Sequence, residues 1–138
     1  MRSLVICPAI LLVTVFVFSC KNQENYREIR SKVVSVHDKV MRDADLAHGL
    51  YKSLDSVYRN IGDKDTVKVL SIMVNIEKAN HEMEEWMEHF EPDVSGKDAA
   101  ESVRYFKTEL DKIYKIDRRY KRVMVDADHY LDSRYRRR

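Results

Sequence analysis

The residues of this chain best suited to chemistry are two histidines and a glutamate at steps of four. His81, Glu85 and His89 share one face of a helix, because such a step returns a side chain to the same side. Imidazole and carboxylate groups at that spacing are typical ligands of a divalent metal. An antiparallel fold would bring His37 level with His89 and place Met41 one turn away, and a thioether favours copper. We therefore predict metal ligands at His37, His81, Glu85 and His89; a solvated charged face is the alternative.

A second chemical feature is the cysteine that ends the N-terminal apolar run. Arg2 precedes an apolar stretch at residues 4–18, and the small Ser19 stands immediately before Cys20. The stretch is shorter than the roughly 20 residues of a transmembrane helix, and its order of charge, apolar core and small residue is that of a secretory signal. We predict a signal peptide at residues 1–19 and lipidation of Cys20. An uncleaved membrane anchor is the principal alternative.

Lipidation would fix both the location and the thiol chemistry of the protein. Acyl chains such as palmitate on Cys20 hold a protein at a membrane, since each buried methylene contributes about 0.8 kcal/mol. The other cysteine of the sequence, Cys7, leaves with the signal peptide, so that the mature chain keeps no free thiol. Disulfides, thiol catalysis and cysteine metal sites are thereby excluded. We expect a lipid-anchored membrane protein of the cell envelope, on the periplasmic or outer-membrane side.

Motifs of enzymatic catalysis are absent from the sequence. It contains neither a glycine-rich phosphate loop nor a G-x-S-x-G nucleophile elbow. The basic stretch at residues 118–122 resembles a nucleic-acid contact, but export and the neighbouring Asp117 and Asp126 argue against one. We expect neither an enzyme nor a nucleic-acid-binding protein, and no cofactor besides the covalent lipid and the metal considered above.

The elements that must position these residues are helices, because breakers are few and apolar residues recur in steps of three and four. After residue 20, glycine and proline occur only at Gly49, Gly62, Pro92 and Gly96. The periodicity predicts helices at about residues 25–61, 66–90 and 97–135, all within one domain at residues 25–138. Their apolar stripes must face one another to leave water. We predict an all-α fold, an up-down-up antiparallel three-helix bundle with coiled-coil-like packing, preceded by a signal helix and a short tether at residues 20–24.

Single polar residues interrupt the apolar stripe of each predicted helix. Asp43, Asn80 and Asp117 occupy core positions of the first, second and third helix. Polar residues at such positions fix helix register or partner choice at a cost in stability. We expect Asp43 and Asn80 to lie within about one turn of each other, with Asp117 elsewhere. Partly exposed edge positions beside basic side chains are the alternative.

The end of the third helix is predicted to extend beyond the bundle. Folding at the two loops places Leu110 near Leu46, so that residues 126–138 would project past the first helix. This segment then offers a partner surface to an envelope protein, an anionic surface or a second copy of the chain. The predicted surface consists of Tyr130, Leu131, Arg134, Arg136, Arg137 and Arg138. A bend at Gly49, or a frayed and solvated C-terminus, is the alternative.

Two short segments carry a family resemblance beside the Ser19-Cys20 signal end. They are residues 36–41, which read Val-His-Asp-Lys-Val-Met, and residues 79–90, which contain Met83-Glu84-Glu85-Trp86-Met87. These segments resemble a group of small bacterial lipoproteins whose members often carry the label "viral A-type inclusion protein". The resemblance implies a helical, envelope-tethered protein of unknown function and supplies no catalytic residues. The arginine-rich C-terminus is not expected from this group.

The sequence thus predicts a lipid-anchored helical protein of the cell envelope that acts as a binding or scaffold module. The alternative is a periplasmic protein that handles copper or zinc through histidine, methionine and glutamate side chains of the first two helices.

Overall fold

The computed structural model describes residues 25–60 and 65–136. Within these residues the chain forms three helices, α1 (Tyr26–Arg59), α2 (Thr66–His89) and α3 (Ala99–Tyr135), and no β-strand. The prediction of an all-helical bundle is confirmed for this part of the chain, and the helix bounds differ from the expected ones by two residues at most. The predicted signal peptide, its helix and Cys20 lie outside the described residues.

α1 and α3 begin at residues whose side chains cap the first backbone amides. The Asn25 side chain accepts a hydrogen bond from the Arg27 N–H at 3.0 Å. At α3, the Asp98 carboxylate accepts from the Glu101 N–H at 2.8 Å, and the Glu101 carboxylate accepts from the Asp98 N–H at 3.0 Å, which completes a capping box. α2 ends shortly before Pro92, because proline disfavours helical geometry in the residue before it.

α2 and α3 run in opposite directions. Arg119 forms an ion pair with Glu82 at 2.6 Å, and Arg134 forms one with Asp65 at 3.2 Å. Residue numbers therefore rise along α3 as they fall along α2, which defines an antiparallel pair.

α1 and α3 run in the same direction along their whole lengths. The Tyr26 and Phe106 rings stack with their centroids 6.1 Å apart, and Lys39 Nζ lies 2.6 Å from Asp117 Oδ1. Their interface is the most extensive of the three helix pairs. α2 therefore packs against a long parallel pair.

The core repeats every seven residues on each helix. Buried residues at this step are Val33, Val40, Ala47 and Leu54 on α1, Val69, Ile76 and Met83 on α2, and Phe106, Ile113, Tyr120 and Ala127 on α3. A side chain of the size of Leu54 or Phe106 contributes roughly 1.5–3 kcal/mol when it is fully buried. Because the interval is the same on all three helices, their apolar stripes remain in contact along the bundle.

The C-terminal end of α3 packs on the bundle, so the prediction of a projecting partner surface is wrong for Tyr130 and Leu131. These side chains are only 2% and 7% exposed and belong to the core. Arg134 is half-buried beside Asp65, whereas Arg136 is exposed. Arg137 and Arg138 lie outside the described residues.

The cause of this difference is the connection between α2 and α3 at residues 90–98. It continues past the end of α2 along the other two helices, where the Glu91 N–H donates to the Tyr105 hydroxyl at 2.7 Å and Val94 packs against the core. α3 consequently begins beyond the end of α2. The offset of 78 residues between Lys39 and Asp117 then places the end of α3 beside the end of α1.

Candidate functional site

An apolar groove between α1 and α2 is the candidate binding site. We call it the α1–α2 groove; it is lined by Val34, His37, Met41 and Ala44 from α1 and by Met83, Trp86, Met87 and Phe90 from α2. Val34, Met41 and Met87 are 43%, 37% and 40% exposed. Large apolar side chains therefore face solvent at several levels of the groove.

The groove exists because the apolar stripe of each helix is wider than the core requires. Val34 and Met41 follow the buried Val33 and Val40 by one residue, so they lie at the edge of the α1 stripe. Met87 occupies the corresponding edge of α2. Methionine side chains are flexible and polarizable, which lets such a surface adapt to the shape of a bound partner.

The rim of the groove is acidic. Asp38, Glu77 and Glu84 are the carboxylates among the lining residues, and lysine and arginine do not occur among them. His37 stands at the rim, with its Nδ1 3.0 Å from Asp38 Oδ1 and its ring 5.9 Å from the Trp86 ring. The groove therefore combines an apolar floor with negative charge at its edges.

A buried hydrogen bond fixes the aromatic floor. Trp86 Nε1 donates to Glu109 Oε2 at 2.9 Å, and Lys112 Nζ donates to Glu109 Oε1 at 2.7 Å. Glu109 is 3% exposed, so both of its oxygens are satisfied inside the protein. The indole also stacks on Phe90, with the ring centroids 4.7 Å apart. The Trp86 ring is thus held in one orientation before any partner binds.

A second polar contact, between Asn80 and Tyr120, links α2 to α3 in the lining of the groove. The Tyr120 hydroxyl donates to Asn80 Oδ1 at 2.8 Å. Burial, with a smaller effect from Glu84 and Glu77, raises the pKa of Tyr120 to about 12. The phenol therefore remains a neutral donor under physiological conditions, and the polar interruption at Asn80 has its partner.

A cluster of charges joins α1 to α3 on another side of the bundle. Lys39 Nζ donates to Asp43 Oδ2 and to Asp117 Oδ1, each at 2.6 Å, while Lys121 Nζ donates to Asp117 Oδ2 at 2.7 Å. Burial by itself raises the pKa of the Asp117 carboxyl, but the hydrogen bonds from Lys121 and Lys39 outweigh it and lower that pKa. The hydrogen bonds that Lys39 donates, first to Asp117 and second to Asp43, raise the pKa of Lys39.

This cluster corrects one prediction about the polar interruptions. Asp117 was expected away from Asp43, yet the two carboxylates share Lys39. The reason is the parallel register of α1 and α3, which places Asp117 level with Lys39.

The four predicted metal ligands do not form one site. His81 Nε2 lies 3.4 Å from Glu85 Oε1, whereas His89 Nδ1 donates to the Glu85 backbone carbonyl at 2.7 Å. The His37 ring lies 5.9 Å from the Trp86 ring. Within residues 25–60 and 65–136 no group of three or more histidine, cysteine, aspartate or glutamate side chains is arranged to hold a metal. His81 and Glu85 supply two ligands, fewer than a tetrahedral protein site uses.

The membrane predictions fall on residues outside the described part. Cys20 and the apolar run before it precede residue 25. Among the helices that the structure describes, none is long and apolar enough to cross a bilayer.

Sequence reasoning missed the role of Glu109 as the partner of Trp86. Its signal was present, because Glu109 falls three residues after Phe106 and four before Ile113, which is the spacing of the α3 core. A carboxylate at such a position needs a buried donor, and the indole N–H of Trp86 is the donor that α2 offers.

Comparisons with known proteins identify no relative of this chain. No family model, no curated protein and no solved structure matches it.

Proposed function

We propose that this protein is a lipid-anchored binding module of the cell envelope, and that the α1–α2 groove is the surface with which it holds a partner. The observation that carries this proposal is that Val34, Met41 and Met87 are exposed along the groove. The Trp86 indole, which also lines it, is held in place by its hydrogen bond to Glu109. The lipoprotein-type sequence around Cys20, and the resemblance to small helical lipoproteins, support the envelope as the location.

The chemistry of the groove favours a basic amphipathic helix of another envelope protein. Helices bind to grooves of this kind through apolar residues at steps of three and four. Methionine and aromatic side chains supply an adaptable floor, and the carboxylates of Asp38, Glu77 and Glu84 would pair with lysine or arginine on the partner. An acidic partner helix would be repelled by the same rim.

Coiled-coil-like packing of the three helices is part of the proposal. The seven-residue step of buried residues on each helix supports it, because that step is the repeat of knobs-into-holes packing. Rigid helices keep the two edges of the groove at a fixed separation, which a preformed binding surface requires.

Lipidation is tested by metabolic labelling with a palmitate analogue in bacteria that produce the full chain. The natural chain should incorporate the label and sediment with membranes, and Cys20→Ala should lose the label. Cys7→Ala is the matched control, because it removes the other cysteine and should still be labelled. Label that persists in Cys20→Ala would remove the anchoring half of the proposal.

The binding surface is tested by a photoreactive amino acid placed at Met87 in the natural envelope. A discrete crosslinked product at Met87, identified by mass spectrometry as an envelope protein with a basic helix, supports the groove. Leu46 is the matched control, because it is 62% exposed on α1 and does not line the groove. Met41→Glu should abolish the product, since it adds charge to the groove without touching the core.

Three results would contradict this assignment. Equal products from Met87 and Leu46 would show that the groove is not selective. A product of twice the chain mass would point to self-association instead. Absence of any product from Met87 in cells where the chain is membrane-bound would leave the groove without a partner and would overturn its proposed role.

A further inference from the structure

The outward face of α3 carries a straight row of basic side chains. We call it the α3 strip; it consists of Arg104, Lys107, Lys115, Arg118 and Arg122, all of which are exposed. Their spacing keeps them on one side of the helix, and from the first to the last they span about 27 Å at 1.5 Å per residue. Between Arg104 and Arg122, Asp111 is the acidic residue on that face.

Two acidic side chains of α3 in this region are turned into the bundle. Glu109 and Asp117 are buried, and their carboxylates accept hydrogen bonds from Lys112 and from Lys121 together with Lys39. Both carboxylates point towards the other helices and away from the strip. Glu109 and Asp117 therefore take their negative charge into the bundle, while the basic side chains of the strip are exposed together with Asp111.

The shape of the strip suits a plane rather than a small ligand. A helix face is convex, so it offers no pocket that could enclose a single anion. A straight row of charges can instead contact many headgroups of an anionic membrane at once, and the attraction grows with each lysine or arginine near the surface. Tyr114 and Val125, 39% and 64% exposed on the same face, add an aromatic and an aliphatic side chain that suit the membrane interface.

We infer that the α3 strip binds the anionic headgroup surface of the membrane to which the chain is anchored. The inference rests on the membrane attachment in the proposed function, and it deepens that function by giving the bundle an orientation. Tyr120 is buried on the inner side of α3 and lines the α1–α2 groove. The strip is on the outer side of α3, so it lies on the opposite side of the bundle from the groove. With α3 on the membrane, the groove faces away from it and stays open to a partner.

The test uses the full chain purified from membranes and reconstituted into vesicles of phosphatidylcholine alone or with about 30% phosphatidylglycerol, a content that gives a strongly negative surface. Acetylation of each lysine is followed by mass spectrometry. We expect Lys115 to react several-fold more slowly on the anionic vesicles, and Lys52 on α1 to react equally on both. About 1 M salt should restore the rate at Lys115, because the Debye length then falls to about 3 Å.

A charge-reversal pair establishes that the strip itself is responsible. Arg118→Glu with Arg122→Glu should abolish the protection of Lys115, since each basic side chain near the surface contributes about fivefold to binding. The matched control, Arg42→Glu with Lys78→Glu, makes the same change of charge at exposed positions of α1 and α2 and should leave the protection intact. All four positions are exposed, so circular dichroism should show unchanged helix in both variants.

The outcomes separate the strip from the anchor. Failure to float with neutral vesicles would contradict the anchor, and protection of Lys115 on anionic vesicles would still support the strip. A chain that floats with neutral vesicles but shows the same Lys115 rate on both kinds would overturn the strip and keep the anchor. Equal protection of Lys52 would show non-specific adsorption, and protection by soluble heparin but not by anionic vesicles would assign the strip to a polymer; either result overturns the inference.

Discussion

Replacement of Glu109 by leucine should destabilise the fold by about 1–3 kcal/mol, because it leaves the buried indole N–H of Trp86 without an acceptor. Leucine has a similar size and a high helix propensity, so neither a large cavity nor a weaker helix contributes. The lost ion pair with Lys112 adds little, since that lysine is half exposed and can return to water. The cost therefore measures the hydrogen bond that fixes the floor of the groove.

The matched variant Glu109→Gln keeps an acceptor oxygen and should lose about 1 kcal/mol or less. Glu88→Leu, at an exposed position of α2, should change the free energy of unfolding by about 0.5 kcal/mol at most. Urea unfolding followed by circular dichroism gives these free energies. The fluorescence of Trp86, the single tryptophan of the chain, reports the same transition from inside the groove.

A double-mutant cycle supplies the result that would refute this reasoning. Trp86→Phe removes the donor, so combining it with Glu109→Leu should show a coupling of about 0.5–3 kcal/mol. A coupling near zero would mean that the hydrogen bond does not stabilise the fold. Equal losses in Glu109→Gln and Glu109→Leu would likewise show that the acceptor oxygen is not what Trp86 requires.

Three further predictions concern the bundle. Lys39→Leu with Asp117→Leu should populate a second α1–α3 register, seen as doubled peaks in the amide NMR spectrum; one set of peaks would contradict it. Stability should fall as the pH drops through the lowered pKa of Asp117, below about 3.9, and again as it rises from about 10 towards the pKa of Tyr120, because the phenol ionises more easily in the unfolded chain. Urea unfolding across this range measures both losses, and a flat profile would contradict the assignment. Leu131→Ala should cost about 2–5 kcal/mol without changing the oligomeric state by light scattering, whereas Leu46→Ala, 62% exposed, should be nearly neutral.

The helices themselves were predictable because local signals specify them. The stripe from Val33 to Leu54 and the capping box at Asp98 each lie within a single segment of the chain. Proline at position 92 gave the end of α2 for the same local reason.

The register between helices was not predictable, because it depends on the path of residues 90–98. The connecting segment could turn back directly at the end of α2 or continue past it. Pro92 and Gly96 are compatible with both paths. In the structure the chain continues past α2, with the Glu91 N–H bonded to the Tyr105 hydroxyl and Val94 packed against the core. The prediction of a partner surface at Tyr130 and Leu131 was wrong because it assumed the other path.

The polar residues of the core explain how the protein selects one register from several. Because buried apolar residues on α1 and α3 both recur every seven positions, as at Val33 and Phe106, a slip of one heptad would still place apolar against apolar. Such a slip would separate Asp117 from Lys39 and leave its buried carboxylate with Lys121 as its remaining ion-pair partner. Because the Lys39 side chain is 41% exposed, the loss of this contact costs about 1 kcal/mol. The apolar stripes therefore drive association of the helices. The Lys39–Asp117 contact favours one alignment among several that the stripes alone would stabilise about equally. The Glu109–Trp86 hydrogen bond favours one register of α3 against α2 in the same way, because the carboxylate reaches the indole N–H in that alignment.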